Sequence, residues 1–577
     1  MTPEHIPPGR EELRHARRQS RSLFWVVGIF SFFANMLMLT GPLYMLQVYD
    51  RVLGSRSVAT LVALTLLVAF LYGTMGILDY SRGRIMARVG ARFQATLDKR
   101  VFDAMIRRSA VAPDPAAQTG LADLESVQRI IASPVLMAAY DMPWTPIFLA
   151  GITLFHPWLG LLAISGGILL VVITLFNQLF SKGPVTKANV ATHRASLMSE
   201  EIRTEAEMIQ SMGMRGAAFE RWKVTRDNSL GQSVTANDVT GTFTALTKTL
   251  RLFLQSAMLG LGAYLVLQGE VTSGAMIAAS ILLGRALQPI ELVIGQWPLV
   301  QRASKGWKSL SDLLEKTPPE SQRTELPKPR ARLDVQSLTI VPPGDTRAQL
   351  RTVSFKVEPG QAVGVIGPSG SGKSTLAKAI TGVWKPAGGT IRLDGAALDQ
   401  YPADVLGRHI GYLSQRVQLF EGTIAQNIAR LIAEPDSEKV VKAAKMAAAH
   451  DMIVELPDGY DTRVAAGGGR LSGGQMQRIA LARAMYDDPV IVILDEPNSN
   501  LDNEGSLALN QAIRMLKANG SSVLIMAHRP AAIQECDMLL VIDHGTRAAF
   551  GPKDDVMREM VSNHQELAST SAMGGVQ

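Results

Sequence analysis

The stretch Gly367-Pro368-Ser369-Gly370-Ser371-Gly372-Lys373-Ser374-Thr375 has the residue types and spacing needed to hold a nucleoside polyphosphate. Glycines let consecutive backbone N–H groups converge on phosphate oxygens, and a helix beginning at its end adds a favourable dipole. Lys373 is placed to reach the β- and γ-phosphates and Ser374 to ligate Mg²⁺. About 120 residues later the apolar run Val490–Leu494 ends in two carboxylates, Asp495 and Glu496. The first suits Mg²⁺, directly or through water, and the second can orient and deprotonate an attacking water. Read singly, these are a Gly/Ser-rich turn and an acidic strand end; read together, they point to hydrolysis of a phosphoanhydride. A third group, Leu471-Ser472-Gly473-Gly474-Gln475, opens a helix over Met476–Met485 and offers a second anion site. Two phosphate sites in one chain make sense when they face each other across a dimer.

The elements that must position these groups are strands interleaved with helices. Leu333–Ile340, Ser354–Val357, Ala362–Ile366, Gly389–Leu393, Val490–Leu494, Ser522–Ala527 and Met538–Ile542 read as strands. That alternation predicts an α/β nucleotide-binding domain over residues 333–560 with a largely parallel core sheet. Ligands in such folds sit at the carboxyl ends of strands, where the motifs cluster. Before it, residues 311–332 form a Pro-rich, charged linker; after it, residues 561–577 read as a flexible tail.

The first half differs in kind. Of the 577 residues, 47% are hydrophobic and only 19% charged, which is apolar for a soluble enzyme of this size. Residues 1–22 are polar and basic, and Leu23–Tyr49 then carries no charge, long enough to span a bilayer and too long for a signal peptide. Further spans read as Val58–Leu78, Val135–Phe155, Trp158–Phe180, about Leu246–Gln268 and about Val271–Val293, giving an all-α six-span domain over residues 23–310. Long basic regions follow the second and fourth spans, whereas His156-Pro157 and Gly269-Glu270 carry no Lys or Arg. The basic segments mark the cytoplasmic side, so both termini and the nucleotide domain are expected there. The net charge of +7 flanks apolar runs, which points to membrane lipids and away from nucleic acid. The single cysteine, Cys536, reads as an inert core thiol. Asp141, Arg285 and Glu291 are candidate pathway residues. For Arg285 and Glu291 the alternative is a helix extending below the bilayer, and for Asp141 a helix-start or kink feature.

Together, LSGGQ, GPSGSGKST and ILDEP resemble the ATP-binding cassette (ABC) family over about residues 331–560. The resemblance implies a homodimer in which Ser472, Gly473 and Gly474 of one protomer close over ATP held by Lys373 of the other. It assigns Gln415 to sensing Mg²⁺ and the attacking water, His528 to contacting the γ-phosphate, and Asp502 to a loop crossing the dimer interface. Two departures stand out. No aromatic residue lies in Leu338–Pro343 to stack on adenine, and Arg463–Gly469 replaces the Glu-containing turn of drug and lipid exporters.

Gly41–Asp50, Asp141–Trp144, Glu207–Met214 and Asp495–Asp502 resemble the type I secretion ATPases of the PrtD-like kind. That branch implies an inner-membrane exporter with the six-span type I exporter fold. It implies a periplasmic adaptor, a TolC-type outer-membrane channel, and RTX-type substrates bearing an uncleaved C-terminal signal. With about 22 residues before the first span, no N-terminal peptidase domain is expected. A lipid or drug half-transporter is the rival of the same class. A soluble ABC ATPase acting on DNA or ribosomes is disfavoured by the spans, and a dead-cassette regulator by the intact Lys373, Asp495, Glu496 and His528.

Overall fold

The computed structural model describes residues 8–320, 326–465, 468, 469, 471–499, 501, 503–528 and 530–559. Asp502 and residues 561–577 lie outside the described residues, as do residues 1–7. The chain divides into two compact units, with the division between Pro319 and Glu320.

The first unit is helical. Among the described residues, six helical segments are long and apolar enough to cross a membrane: Arg21–Ser55, Val58–Val111, Pro134–Phe155, Pro157–Thr204, Arg215–Leu267 and Ser273–Gly295. The polar regions that follow the second span and separate the fourth from the fifth are largely continuations of these helices. At 54 residues, Val58–Val111 is about 80 Å long against a hydrocarbon core of about 30 Å, so much of it stands outside lipid. The first span is interrupted instead. One helix covers Arg21–Leu37, a second Thr40–Gln47, and a π-helical turn Val48–Val52. Pro42 lacks an N–H and fits best in a first helical turn, and the helix restarts just before it.

At the far side of the bundle the short connections are tied. His156 is extended (φ −165°), as the residue before a proline prefers to be, and its Nδ1 accepts from Trp158 N. Its Nε2 lies 3.0 Å from Glu270 Oε2. Asp50 accepts from the Thr272 hydroxyl at 2.7 Å and from Gly274 N at 2.9 Å, capping the sixth helix. Between the spans, Phe148, Ile152, Leu159, Leu170, Leu254, Met258 and Leu283 share one apolar cluster. A second cluster joins Met86, Phe93 and Leu97 of the long second helix to Leu124, Leu310 and Leu313.

The second unit holds a six-stranded sheet in the order Thr546–Pro552, Met538–Asp543, Ala362–Ile366, Ser522–Ala527, Ile491–Asp495, Ile410–Leu413. All neighbours are parallel except the first pair. Alternate residues feed two apolar clusters, with Ala362, Val492 and Val523 in one and Val363, Ile493 and Leu524 in the other. Burial on both faces explains the continuous apolar runs in these strands. Leu333–Ile340, Leu350–Val357 and Gly388–Leu393 form a separate antiparallel sheet. The second of these begins earlier than the sequence suggests, because Leu350 is wholly buried whereas Arg351 and Thr352 point outward.

Candidate nucleotide site and intramembrane charge cluster

Four neighbouring strands deliver the candidate residues to one sheet edge. In register, Ile366 faces Ala527, Met526 faces Asp495, and Leu494 faces Leu413. Gly367–Thr375, His528, Asp495 with Glu496, and Gln415 therefore follow directly from adjacent parallel strand ends. The loop wraps Lys373, which is only 5% exposed and donates from Nζ to Gly367 O at 2.8 Å and Pro368 O at 2.9 Å. Burial holds its pKa below the usual lysine value. Gly372 has φ 108°, and a Cβ there would lie 2.6 Å from Leu350 Cδ2, so the turn demands glycine. Ser371 Oγ is buried with no hydrogen-bond partner among the described residues. Such an orphan beside a ring of backbone N–H groups suits a phosphate oxygen. The Thr375 hydroxyl donates to Gln349 Oε1 at 2.6 Å and fixes the start of the helix Lys373–Ile380.

Asp495 is 3% exposed. Burial raises its pKa, and the hydrogen bond with the Ser374 side chain opposes that shift. Ser374, Asp495 and the exposed Gln415 offer oxygen ligands of the hard kind that Mg²⁺ takes. Glu496 sits at φ 51°, in the left-handed region, while its N–H donates to Met526 O at 3.0 Å. That backbone turn sends its carboxylate toward His528, whose Nε2 lies 3.1 Å from Glu496 Oε1. A carboxylate and an imidazole in contact at the end of a phosphate loop can handle the proton and the charge of a hydrolysed γ-phosphate.

The signature residues are not brought to this loop. Ser472 caps the helix Gly473–Met485, its Oγ accepting from Gln475 N while Gln475 Oε1 accepts from Ser472 N. Ser472 and Gln475 thus bond to each other at the helix N-terminus. Two residues that sequence reading missed tie this helix inward. Gln477 donates to Pro497 O at 2.7 Å, and Arg483 donates to Asn427 O at 2.9 Å and Gln418 O at 3.1 Å. A Gln within a helix and an Arg in its last turn are ordinary helix residues, so neither carried a sequence signal.

In the spans, Asp141 is an ion-pair residue at a break in the third span, where the helix Pro134–Asp141 gives way to a 3₁₀ turn, Met142–Trp144. Arg82 Nη1 lies 2.9 Å from Asp141 Oδ1 and Arg82 Nε 3.0 Å from Asp79 Oδ1. Arg82 also donates to Ser31 Oγ at 3.1 Å, and Asn35 Nδ2 to Asp141 Oδ1 at 2.7 Å. The group joins the first three spans. Glu291 is likewise paired, with Arg251 at 2.6 Å, across the fifth and sixth spans. Arg285 donates to Gln288 Oε1 at 3.5 Å.

Comparison with known proteins gives this geometry its context. Residues 350–499 match the family model "ABC transporter" and residues 24–289 "ABC transporter transmembrane region". The type I secretion system ATP-binding protein PrsD of Rhizobium meliloti is 42% identical over 95% of both chains. The ATP-dependent lipid A-core flippase of Pseudomonas fluorescens is 36% identical over 72% of this chain and 69% of its own. The leukotoxin translocation ATP-binding protein LktB of Mannheimia haemolytica is 28% identical over 93% of this chain and 77% of its own. In fold, the chain superposes on a bacterial Atm1-family ABC exporter solved with ATP bound. The TM-score is 0.77 at 22% identity, over 97% of this chain and 99% of that one. A multi-pass helical domain followed by an ATP-hydrolysing cassette, with 42% identity to a type I secretion ATP-binding protein along nearly the whole chain, places the chain among the ABC exporters, in the branch of the type I secretion ATP-binding proteins.

Proposed function

We propose that this protein is the inner-membrane motor of a type I secretion system. It uses ATP to move RTX-type proteins, recognised by an uncleaved C-terminal signal, from the cytoplasm to the outside. The observation that carries the reading is 42% identity to a type I secretion ATP-binding protein over 95% of both chains. Working partners are a second copy of this chain, a periplasmic adaptor and a TolC-type outer-membrane channel. Both termini and the nucleotide domain face the cytoplasm, consistent with the basic segments that flank the spans.

At the site, residues 367–375 bind the triphosphate, with the Lys373 ammonium exchanging its two carbonyls for β- and γ-phosphate oxygens. Ser374, Asp495 and Gln415 would hold Mg²⁺, which would supply positive charge to offset that of the phosphates. Glu496 orients and deprotonates water, and His528 steadies the γ-phosphate. Leu471–Gln475 of the partner protomer close the site from outside, which the outward-facing cap of that helix supports. Asp502 belongs to the loop expected at the dimer interface.

The test is secretion from cells expressing this chain with an adaptor and a TolC-type channel. The cargo is an RTX protein with or without its C-terminal segment. Cargo reaches the medium only with that segment and is lost in Glu496→Gln. An ATPase-active chain that moves no cargo, while it flips lipid in vesicles, overturns the secretion reading in favour of a lipid exporter.

A further inference from the structure

We propose that Gln477 and Arg483 are positioning residues that fasten the signature helix to both hydrolytic loops of its own cassette. Capture of the partner's nucleotide at Ser472 then sets Glu496 and Gln415. The inference rests on the reading of those two residues given above. Gln477 is 1% exposed, and its side-chain amide holds Pro497 O at 2.7 Å, next to Glu496. Two turns further along, Arg483 reaches the other loop. It donates to Gln418 O at 3.1 Å, three residues past Gln415, and to Asn427 O and Oδ1 at 2.9 and 3.1 Å. Its guanidinium also lies 5.6 Å from the centre of the Phe420 ring. Asn427, wholly buried, clasps Phe420 from both sides, accepting from its N–H at 2.9 Å and donating to its carbonyl at 2.8 Å. The Gln415 loop is thus gripped by a chain of bonds that ends on the signature helix.

The plainer reading is that Arg483 caps its own helix, but another residue does that. Arg430 donates to Arg483 O at 3.3 Å and Ala484 O at 3.4 Å. Arg483 spends its hydrogen bonds on the loop instead, and burial lowers its pKa with no carboxylate among its hydrogen-bond partners. A half-buried guanidinium answered by carbonyls is costly to keep, which favours a role for its geometry. The helix Gly473–Met485 is about 20 Å of rigid rod, so displacement at Ser472 is carried to both ties.

The full-length protein in lipid vesicles tests this with Gln477→Met, Arg483→Met and Arg483→Lys, measuring ATPase kinetics and binding of a fluorescent ATP analogue. Each Met variant is expected to lose about tenfold in kcat, the worth of one well-placed hydrogen bond in the transition state. KM and analogue affinity stay within about twofold, because the phosphate loop is untouched. Arg483→Lys recovers part of the loss, since an ammonium still reaches a carbonyl. Unchanged kcat in Gln477→Met overturns the proposal, as does a loss that falls equally on kcat and analogue binding. Where Arg483→Met does not fold, Gln477→Met, which leaves no charge unpaired, decides alone. Glu496→Gln run in parallel separates the two levels. If that variant hydrolyses ATP at the wild-type rate, the assignment of the site has failed rather than the ties.

Discussion

Replacing Arg82 by leucine should be among the most damaging single changes in the spans. Arg82 is 6% exposed and stands 3.0 Å from Asp79 and 2.9 Å from Asp141. Removing it leaves two carboxylates without their cation, and the Asp141 side chain is only 13% exposed. Removing one partner of a buried pair costs about 3–5 kcal/mol. Asp141→Leu should cost less, about 1–3 kcal/mol, because Arg82 keeps Asp79 and the Ser31 hydroxyl. Asn35 then loses one acceptor but retains Ser31 O at 2.8 Å. The double variant Arg82→Leu/Asp141→Leu buries neither of these two charges and should be more stable than Arg82→Leu alone, giving a coupling of at least about 1 kcal/mol. The assay is unfolding of the purified full-length protein in mixed micelles as SDS is raised, read by far-UV circular dichroism. Strict additivity of the two single changes, or a larger loss in Asp141→Leu than in Arg82→Leu, would refute the reasoning.

Other outcomes follow from the same geometry. His528→Ala should lower kcat about 10²-fold with little change in KM, because it removes one charge-stabilising donor; stopped-turnover ATPase assays check this. Lys373 predicts an alkaline effect of definite sign. Its folded pKa lies below the model-peptide value of 10.5, so between the two the unfolded chain binds more protons. Stability of the nucleotide-free protein should therefore rise with pH across that window. ATP affinity should fall across it, as the ammonium is lost; calorimetric melts and binding titrations against pH read the two trends separately. Gly274→Ala places a methyl 2.6 Å from Asp50 Oδ1 and should destabilise by about 1–3 kcal/mol, seen as a lower melting temperature.

The cassette was legible because its chemistry uses fixed residue types at fixed spacing. Lys373, Asp495, Glu496 and His528 follow from strands whose apolar runs are long and buried on both faces, and the structure places them at adjacent strand ends. The strand Ile410–Leu413 escaped notice because Ile-Gly-Tyr-Leu is short and holds a glycine, a weak strand signal. Thr546–Pro552 escaped because it is an edge strand, mostly exposed, where burial leaves no pattern. In the membrane half, the count of six spans was readable from apolar length, although the fifth and sixth carry Lys248, Arg251, Arg285 and Glu291, but the partners of Asp141 were not. Arg82 looks like the first residue of a polar region, and only the unbroken helix Val58–Val111 carries it back beside the first and third spans. Contacts of that kind depend on helix packing, and sequence periodicity does not encode them.

The left-handed backbone of Glu496 has a consequence for how this chain can evolve. A side chain at φ 51° costs about 1–2 kcal/mol relative to glycine in the same conformation. The fold therefore carries a standing debt at the residue proposed to activate water, and any descendant released from the need to hydrolyse ATP gains stability by losing that side chain. Decay at this position is downhill in folding and uphill only in function.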